Sequence, residues 1–186
     1  MHMTLHPPHL VGLGGTLRDS SRSRAAVQAA LAHAAAQGVT TTLLDPAALA
    51  LPMYHPEYAL ADYPATAHPA ITTVLEACRS ATAMIWCSPT YHGTVTGVFK
   101  NVLDYLELLS EEHPPYLSGR RIGLISINDS KTFSAMSNSV HELRAWLAPT
   151  HVLLQGEDFD GEPLALTSPG GLRRVRRVVD EVLDSR

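Results

Sequence analysis

The order of apolar and amphipathic segments predicts an α/β fold, a three-layer sandwich whose five-stranded parallel sheet is covered by helices on both faces. Two observations carry this expectation. Five short apolar stretches, at 10–13, 40–44, 83–87, 122–127 and 151–154, alternate with longer segments of helical period. Most of the five are almost continuously apolar rather than alternating, as strands covered on both faces are. The resulting β-α-β-α-β-α-β-α-β order implies right-handed crossovers and parallel pairing.

Each element has its own signal. Residues 10–24, LVGLGGTLRDSSRSR, read as a strand, a glycine turn and a helix start. The helix over 21–37 is rich in Ala, ends at Gly38, and has Ser20 or Ser21 as its N-cap. Residues 51–64, rich in Pro and Tyr, form a loop after the second strand that is long enough to suggest a role. Ile71, Val74, Leu75 and Cys78 give 69–80 helical spacing. The third strand runs through a turn into a helix over 96–109, which carries Val98, Val102 and Leu106 with Phe99 and Leu103 beside them. Met136, Val140, Leu143 and Leu147 repeat at four, three and four residues, which predicts a helix across all four. Leu172, Val175, Val179 and Val182 mark the last helix. No repeat, low-complexity segment or linker divides the chain, so 1–186 is expected to be one domain, with 1–9 as a flexible N-terminal tail.

The bulk composition removes several function classes. A length of 186 residues, 45% hydrophobic and 17% charged, suits a globular domain with a sizeable core. The formal charge of −4 argues against nucleic acid as a partner, and the basic run at 173–177 fits the polar face of the last helix. No apolar run approaches the ~20 residues that span a bilayer, and the first residues lack the pattern of a signal peptide. A cytoplasmic location and no membrane partner are expected. Cys78 and Cys87 have no metal-like companions and read as buried small hydrophobes. His2, His6 and His9 cluster beside Pro7 and Pro8, without any ligand spacing that would indicate a metal.

Two turns concentrate the chemistry. After the first strand, Gly14 and Gly15 allow a sharp bend, Thr16, Ser20, Ser21 and Ser23 supply hydroxyls, and Arg18 a forked cation. Hydroxyls, a guanidinium and open N–H groups at a helix start can hold a phosphate, although a capped helix with a solvated Arg reads the same way. A P-loop is excluded because its second Gly and its Lys are missing. A dinucleotide fingerprint could begin at Gly12 and Gly14 but meets Leu17 at its third position; Asp45 at the end of the second strand could then mimic a ribose-binding acid. After the third strand, Pro89, Thr90, Tyr91, His92 and Gly93 offer a place where a flat ring could lie against backbone, or else a Pro-Gly loop with a packing Tyr. Lys100 and Asp104 are four apart in the weaker orientation for a helix pair, which leaves a subunit contact open. Residues 126–134, SINDSKTFS, bring Ser126, Asn128 and Asp129 to the same end of the sheet. For strand order 2-1-3-4-5, ligands bind where the order reverses, between strands one and three, which are the strands these two turns follow. A phosphate cradle and a ring platform together suggest a phosphorylated aromatic cofactor, FMN.

The motifs resemble those of the NADPH-dependent FMN reductase family, of flavodoxin-like fold, with azoreductase-, chromate reductase- and quinone reductase-like members. Gly15-Thr16-Leu17-Arg18-Asp19-Ser20-Ser21 matches the family loop G-[ST]-x-R-x-x-S, which holds the FMN phosphate. Ser88-Pro89-Thr90-Tyr91-His92-Gly93-Thr94 matches S-P-x-Y-[HN]-G-[ST]; Gly97-Val98-Phe99-Lys100-Asn101-Val102-Leu103-Asp104 matches the helix G-x-[LF]-K-N-x-[LI]-D. Leu51-Pro52-Met53-Tyr54 is similar to the family's L-P-x-Y loop. One departure stands out: the turn after strand four, where the family carries glycines, has none at 129–134.

The resemblance implies an FMN-dependent NAD(P)H oxidoreductase with no acid–base triad, which receives a hydride from NADPH or NADH and passes electrons to a small-molecule acceptor. Thr16, Arg18, Ser20, Ser21 and Ser23 would bind phosphate, and Pro89, Thr90, Tyr91, His92 and Gly93 would form the ring platform. Ser126, Asn128 and Asp129 would stand at its edge. It also implies a homodimer or homotetramer. Two other readings are a flavodoxin-like electron carrier without NAD(P)H activity, and a non-catalytic regulatory protein that reuses the fold.

Overall fold

The computed structural model describes residues 7–184. His2, His6 and most of the expected tail at 1–9 lie outside them. His9, however, is no tail residue. It opens β1 (His9–Gly14), and its ring nitrogens lie 3.1 Å from Ser80 Oγ and 2.9 Å from Thr42 Oγ1.

The strands form the expected parallel sheet. β2 (Thr40–Leu44), β1, β3 (Ala83–Pro89), β4 (Arg121–Ile127) and β5 (Trp146–Leu154) lie side by side in that order. Alternate side chains of the central strands divide two cores. Met84 and Trp86 of β3 point toward the layer of α3 (His68–Ser80), α4 (Gly97–Asp104) and α5 (Thr132–Glu142), and join Ile71, Phe99 and Met136. Ala83, Ile85 and Cys87 point the other way, to α1 (Arg22–Ala35) and α6 (Pro169–Leu183). Trp86, Tyr105 and Phe99 are fully buried; burial of one large apolar side chain stabilises by about 1.5–3 kcal/mol. Gly12 and Gly14 let α1 press onto β1: a Cβ would meet Val27 Cγ1 at 2.3 Å from Gly12 and Val27 Cγ2 at 2.5 Å from Gly14. The first residues of the loop after β1 therefore leave the sheet at a fixed height against α1.

Three sequence expectations change. The stripe Met136–Val140–Leu143–Leu147 is not one helix, because Arg144 takes φ 61° after α5 ends at Glu142, and Leu147 already pairs with Ile122 in the sheet. Leu143 and Leu147 still pack on the same core as Met136, so the period continues past the end of the helix. β5 accordingly starts at Trp146 rather than at 151. The pairing of β4 and β5 shifts between Ile122 and Leu124, where Pro149 sits, and Thr150 N–H and hydroxyl both donate to the Glu181 carboxylate of α6. A proline at a bulge on an edge strand is tolerated, and it hides the strand from a pattern reading. The helix over 96–109 is α4 followed by a 3₁₀ segment, Tyr105–Leu109. Short elements without a sequence signal are α2 (Pro46–Leu49) and the hairpin of β6 (Phe159–Asp160) and β7 (Ala165–Leu166).

Candidate cofactor site

The first turn is built from the strand end upward. Gly15 has φ 142°, and a Cβ there would lie 2.7 Å from Asp45 Oδ1, so only glycine fits the passage from β1 into the loop. Thr16 Oγ1 accepts the Arg18 N–H at 3.2 Å, which curls the loop. Ser21 is the N-cap of α1, accepting the Arg24 N–H at 3.3 Å, and its hydroxyl lies 3.1 Å from that of Ser23. Both serines and Thr16 are buried, while Arg18 and Ser20 are exposed. The first N–H groups of α1, on Arg22 and Ser23, have no acceptor among the described residues, as the first turn of a helix leaves them.

A clamp invisible to the sequence reading holds this loop. Arg24 Nη1 donates to Asp19 O at 2.9 Å and Nη2 to Arg18 O at 3.4 Å. Its Nε lies 2.6 Å from Asp45 Oδ2, an ion pair by distance in which the N–H does not point at the oxygen. Asp45 also caps α2 through the Ala47 N–H at 3.1 Å. Asp45 thus ties the loop to β2, which replaces the ribose-binding role weighed for it.

The second turn is a tight reversal. Tyr91 and Thr94 exchange backbone hydrogen bonds of 2.9 and 3.1 Å, with His92 at φ 52° and Gly93 at φ 85° between them. Two positive φ angles define a type I′ turn and explain the His-Gly pair. Ser88 Oγ accepts the Thr96 N–H at 3.2 Å, and Thr96 Oγ1 caps α4 through the Phe99 N–H at 3.2 Å, so the turn is fixed at both ends. Asn101 inside α4 takes the Tyr54 N–H at 2.9 Å and donates to Pro52 O at 2.8 Å, where Tyr105 OH also donates at 3.0 Å. The conspicuous Lys-Asn pair of this helix therefore divides its work. Asn101 holds the 51–54 loop, and Lys100 pairs with Asp104 on the same helix.

The third turn closes the site without glycine. Asn128 adopts φ 65°, the left-handed conformation that Asn tolerates, and its N–H bonds to Leu154 O at 2.8 Å. Ser126 is fully buried and its hydroxyl is bonded to Asp129 O and Thr132 Oγ1. Thr90 Oγ1 reaches the same Asp129 carbonyl at 3.3 Å, joining the second and third turns. The Lys131 N–H and ammonium hold the Asp129 carboxyl below the usual carboxylate range. Burial pushes the Cys78 thiol up to about 12 and raises that of Cys87 as well, so neither offers a thiolate.

These turns meet at one cleft of about 450 Å³, at the carboxyl ends of β1, β3 and β4. Of the residues singled out from the sequence, Thr16, Arg18, Ser20, Ser21, Ser23, Pro89, Thr90, Tyr91, Asn128 and Asp129 line it. His92, Gly93 and Ser126 do not; they shape the turns behind it. Arg22, Ile127 and Leu164 complete the wall. Arg22 lies in the loop sequence but is given no role from it. Leu164 comes from the distant β6–β7 hairpin, for which the sequence has no signal.

The model of the NADPH-dependent FMN reductase family matches residues 8–166. The chain belongs to that family. It is 32% identical over 145 residues to NADPH-dependent FMN reductase ArsH of Acidithiobacillus ferrooxidans, covering 77% of this chain and 56% of the relative. ArsH of Shigella flexneri is 30% identical over 142 residues, 76% of this chain and 52% of the relative. The chain thus spans about half the length of the curated relatives it matches. Among solved structures, FerB, an NAD(P)H:(acceptor) oxidoreductase from Paracoccus denitrificans, superposes with a TM-score of 0.71 at 14% identity, covering 95% of this chain and 96% of that one. The NADH:FMN oxidoreductase EMOB gives 0.67, also at 14% identity, with 96% and 91% covered. At such identities these two show a common flavodoxin-like fold.

The cleft passes a physical test for FMN. Its volume lies in the ordinary range for small-molecule sites. One side carries three buried hydroxyl residues, open helix N–H groups and the guanidiniums of Arg18 and Arg22, unpaired among the described residues; another carries Pro89, Thr90 and Tyr91, a residue 42% exposed.

Proposed function

We propose that this chain is an FMN-dependent NAD(P)H oxidoreductase acting as one domain. It would receive a hydride from NAD(P)H, NADPH being the preferred donor, and pass two electrons to a small-molecule acceptor. The acceptor classes are quinones, azo compounds, metal oxyanions, free flavin and oxygen. The observation that carries this reading is the convergence of the turns after β1, β3 and β4 on a single cleft, lined by hydroxyls and arginines on one side and by Pro89, Thr90 and Tyr91 on another.

The residues divide the task. Thr16, Ser20, Ser21 and Ser23 donate hydroxyl hydrogen bonds and Arg18 donates guanidinium hydrogen bonds to the phosphate oxygens, beside the open N–H groups of α1. Pro89, Thr90 and Tyr91 support the flat ring from the turn that His92 and Gly93 make possible. Asn128 and Asp129 border the ring's edge, and Ser126 keeps their turn in place from below. Bound FMN would supply the redox chemistry, so the protein needs no side-chain nucleophile or proton relay. Exposed Leu17, Met53, Tyr58 and Tyr91 on the loops after β1, β2 and β3 support a homodimer or homotetramer. Two free, buried cysteines suit a reducing, cytoplasmic compartment.

The test is anaerobic. Protein loaded with FMN should bleach at the flavin absorbance maximum on addition of NADPH and recover with a quinone or with oxygen. Bound flavin that neither NADPH nor NADH reduces would leave an electron carrier and refute the reductase reading.

A further inference from the structure

The first turn of α1 holds a charge arrangement that the fold alone does not explain. It contains no acidic residue, and Arg22 and Arg24 both sit at the positive end of the helix dipole, next to Arg18. Arg24 is compensated by Asp45. Arg173 and Arg176 of α6, which lie outside the cleft, have no hydrogen-bond or ion-pair partner among the described residues, and neither do the guanidiniums of Arg18 and Arg22. Both line the same cleft. Arg22 is also given a seat there. Its guanidinium lies over Gly156, where a Cβ would fall 3.3 Å from Nη2, and Leu164 of the following hairpin shares the wall.

A phosphate monoester carries a charge of about −1.5 to −2 at neutral pH, which two guanidiniums match and one does not. Among the described residues, Asp129 is the only carboxylate in the wall, and Lys131 already compensates it. We propose that Arg22 is the second arm of a two-arginine phosphate clamp and sets the preference of this chain for phosphorylated flavin over riboflavin. This rests on the flavin reading of the cleft and adds a residue to it. A cation placed against the helix dipole becomes favourable once an anion is bound beside it, so its effect is confined to ligands that carry phosphate.

The experiment compares wild type, Arg22→Gln and Arg22→Lys, each titrated with FMN and with riboflavin by quenching of flavin fluorescence. A charge-assisted hydrogen bond at an exposed site corresponds to a loss of about tenfold. Arg22→Gln should weaken FMN by about that factor and leave riboflavin within about twofold, with Arg22→Lys recovering part of the loss. The melting temperature of the ligand-free variant should not fall, since Gln removes a charge that opposes the dipole. Equal weakening of both flavins, or unchanged FMN affinity with a change only in the preference for NADPH over NADH, would overturn the clamp. Wild type that binds neither flavin would instead remove the cofactor reading itself, and the clamp with it.

Discussion

Replacing Asp45 with Ala should both destabilise the protein and loosen its grip on FMN, because one carboxylate holds three things together. It caps α2 through the Ala47 N–H, neutralises Arg24, and covers Gly15 where no side chain fits. Loss of an N-cap costs about 1 kcal/mol. Breaking a fully buried ion pair costs about 3–5 kcal/mol and breaking an exposed one about 0–1. This pair is intermediate, with side-chain exposures of 21% for Arg24 and 12% for Asp45. Arg24 also keeps the Asp19 and Arg18 carbonyls as acceptors, so about 1–2 kcal/mol is reasonable for the pair. The sum, about 2–3 kcal/mol, lowers the melting temperature by about 4–12 °C in a domain of this size. Urea unfolding of the ligand-free variant measures the first effect and an FMN titration the second. Asp45→Asn keeps a cap acceptor without the charge and should fall between wild type and Asp45→Ala in both. An unchanged unfolding midpoint, or lost stability with FMN affinity intact, would refute the idea that this clamp organises the phosphate loop.

Other substitutions probe the remaining parts. Arg18→Ala should weaken FMN by about 1.5–3 kcal/mol, the scale of a hydrogen bond to a charged group; an unchanged dissociation constant would remove Arg18 from the phosphate site. Asn101→Ala leaves the Tyr54 N–H without its acceptor and should cost about 2 kcal/mol, with faster amide hydrogen exchange confined to the 51–54 loop. Asp158 gives a pH test. Burial by itself would raise its carboxyl, but Ser168 Oγ, the Gln155 N–H at 2.9 Å and Arg174 at 3.0 Å outweigh that and hold it below the usual range. A depressed native pKa contributes stability that is present above the unfolded value of about 3.9 and is lost as pH falls through the native one. Asp158→Asn should therefore be less stable than wild type at pH 7 but lose less on acidification below about pH 4. Urea midpoints at both pH values decide it, and parallel acid limbs would refute the assignment.

Much of this molecule was legible in the residues, because its signals are local. Continuous apolar runs gave the strands, and the spacing of Val98, Val102 and Leu106 gave a helix face. The loop after β1 announced itself by the concentration of Gly, Ser and Arg, and the turn after β3 by Pro, Tyr, His and Gly. What escaped depends on partners distant in sequence. The Arg24–Asp45 clamp joins residues that are unremarkable singly, and Leu164 reaches the cleft only through a hairpin of two-residue strands. Pro149 concealed the first half of β5, and Leu147 extended a helical period into a strand because both sides of the break face one core. The missing glycine after β4 proved a matter of residue choice, since Asn128 adopts the left-handed conformation itself.

The central claim is that one mononucleotide sits across the turns following β1, β3 and β4. Amide chemical-shift mapping during titration of the labelled protein with FMN tests it most directly. The largest changes should fall on residues 16–23, 90–93 and 128–129 together, saturating with a single dissociation constant. Changes centred instead on the opposite end of the sheet, around residues 79–82 and 118–121, or none in the phosphate loop, would contradict it.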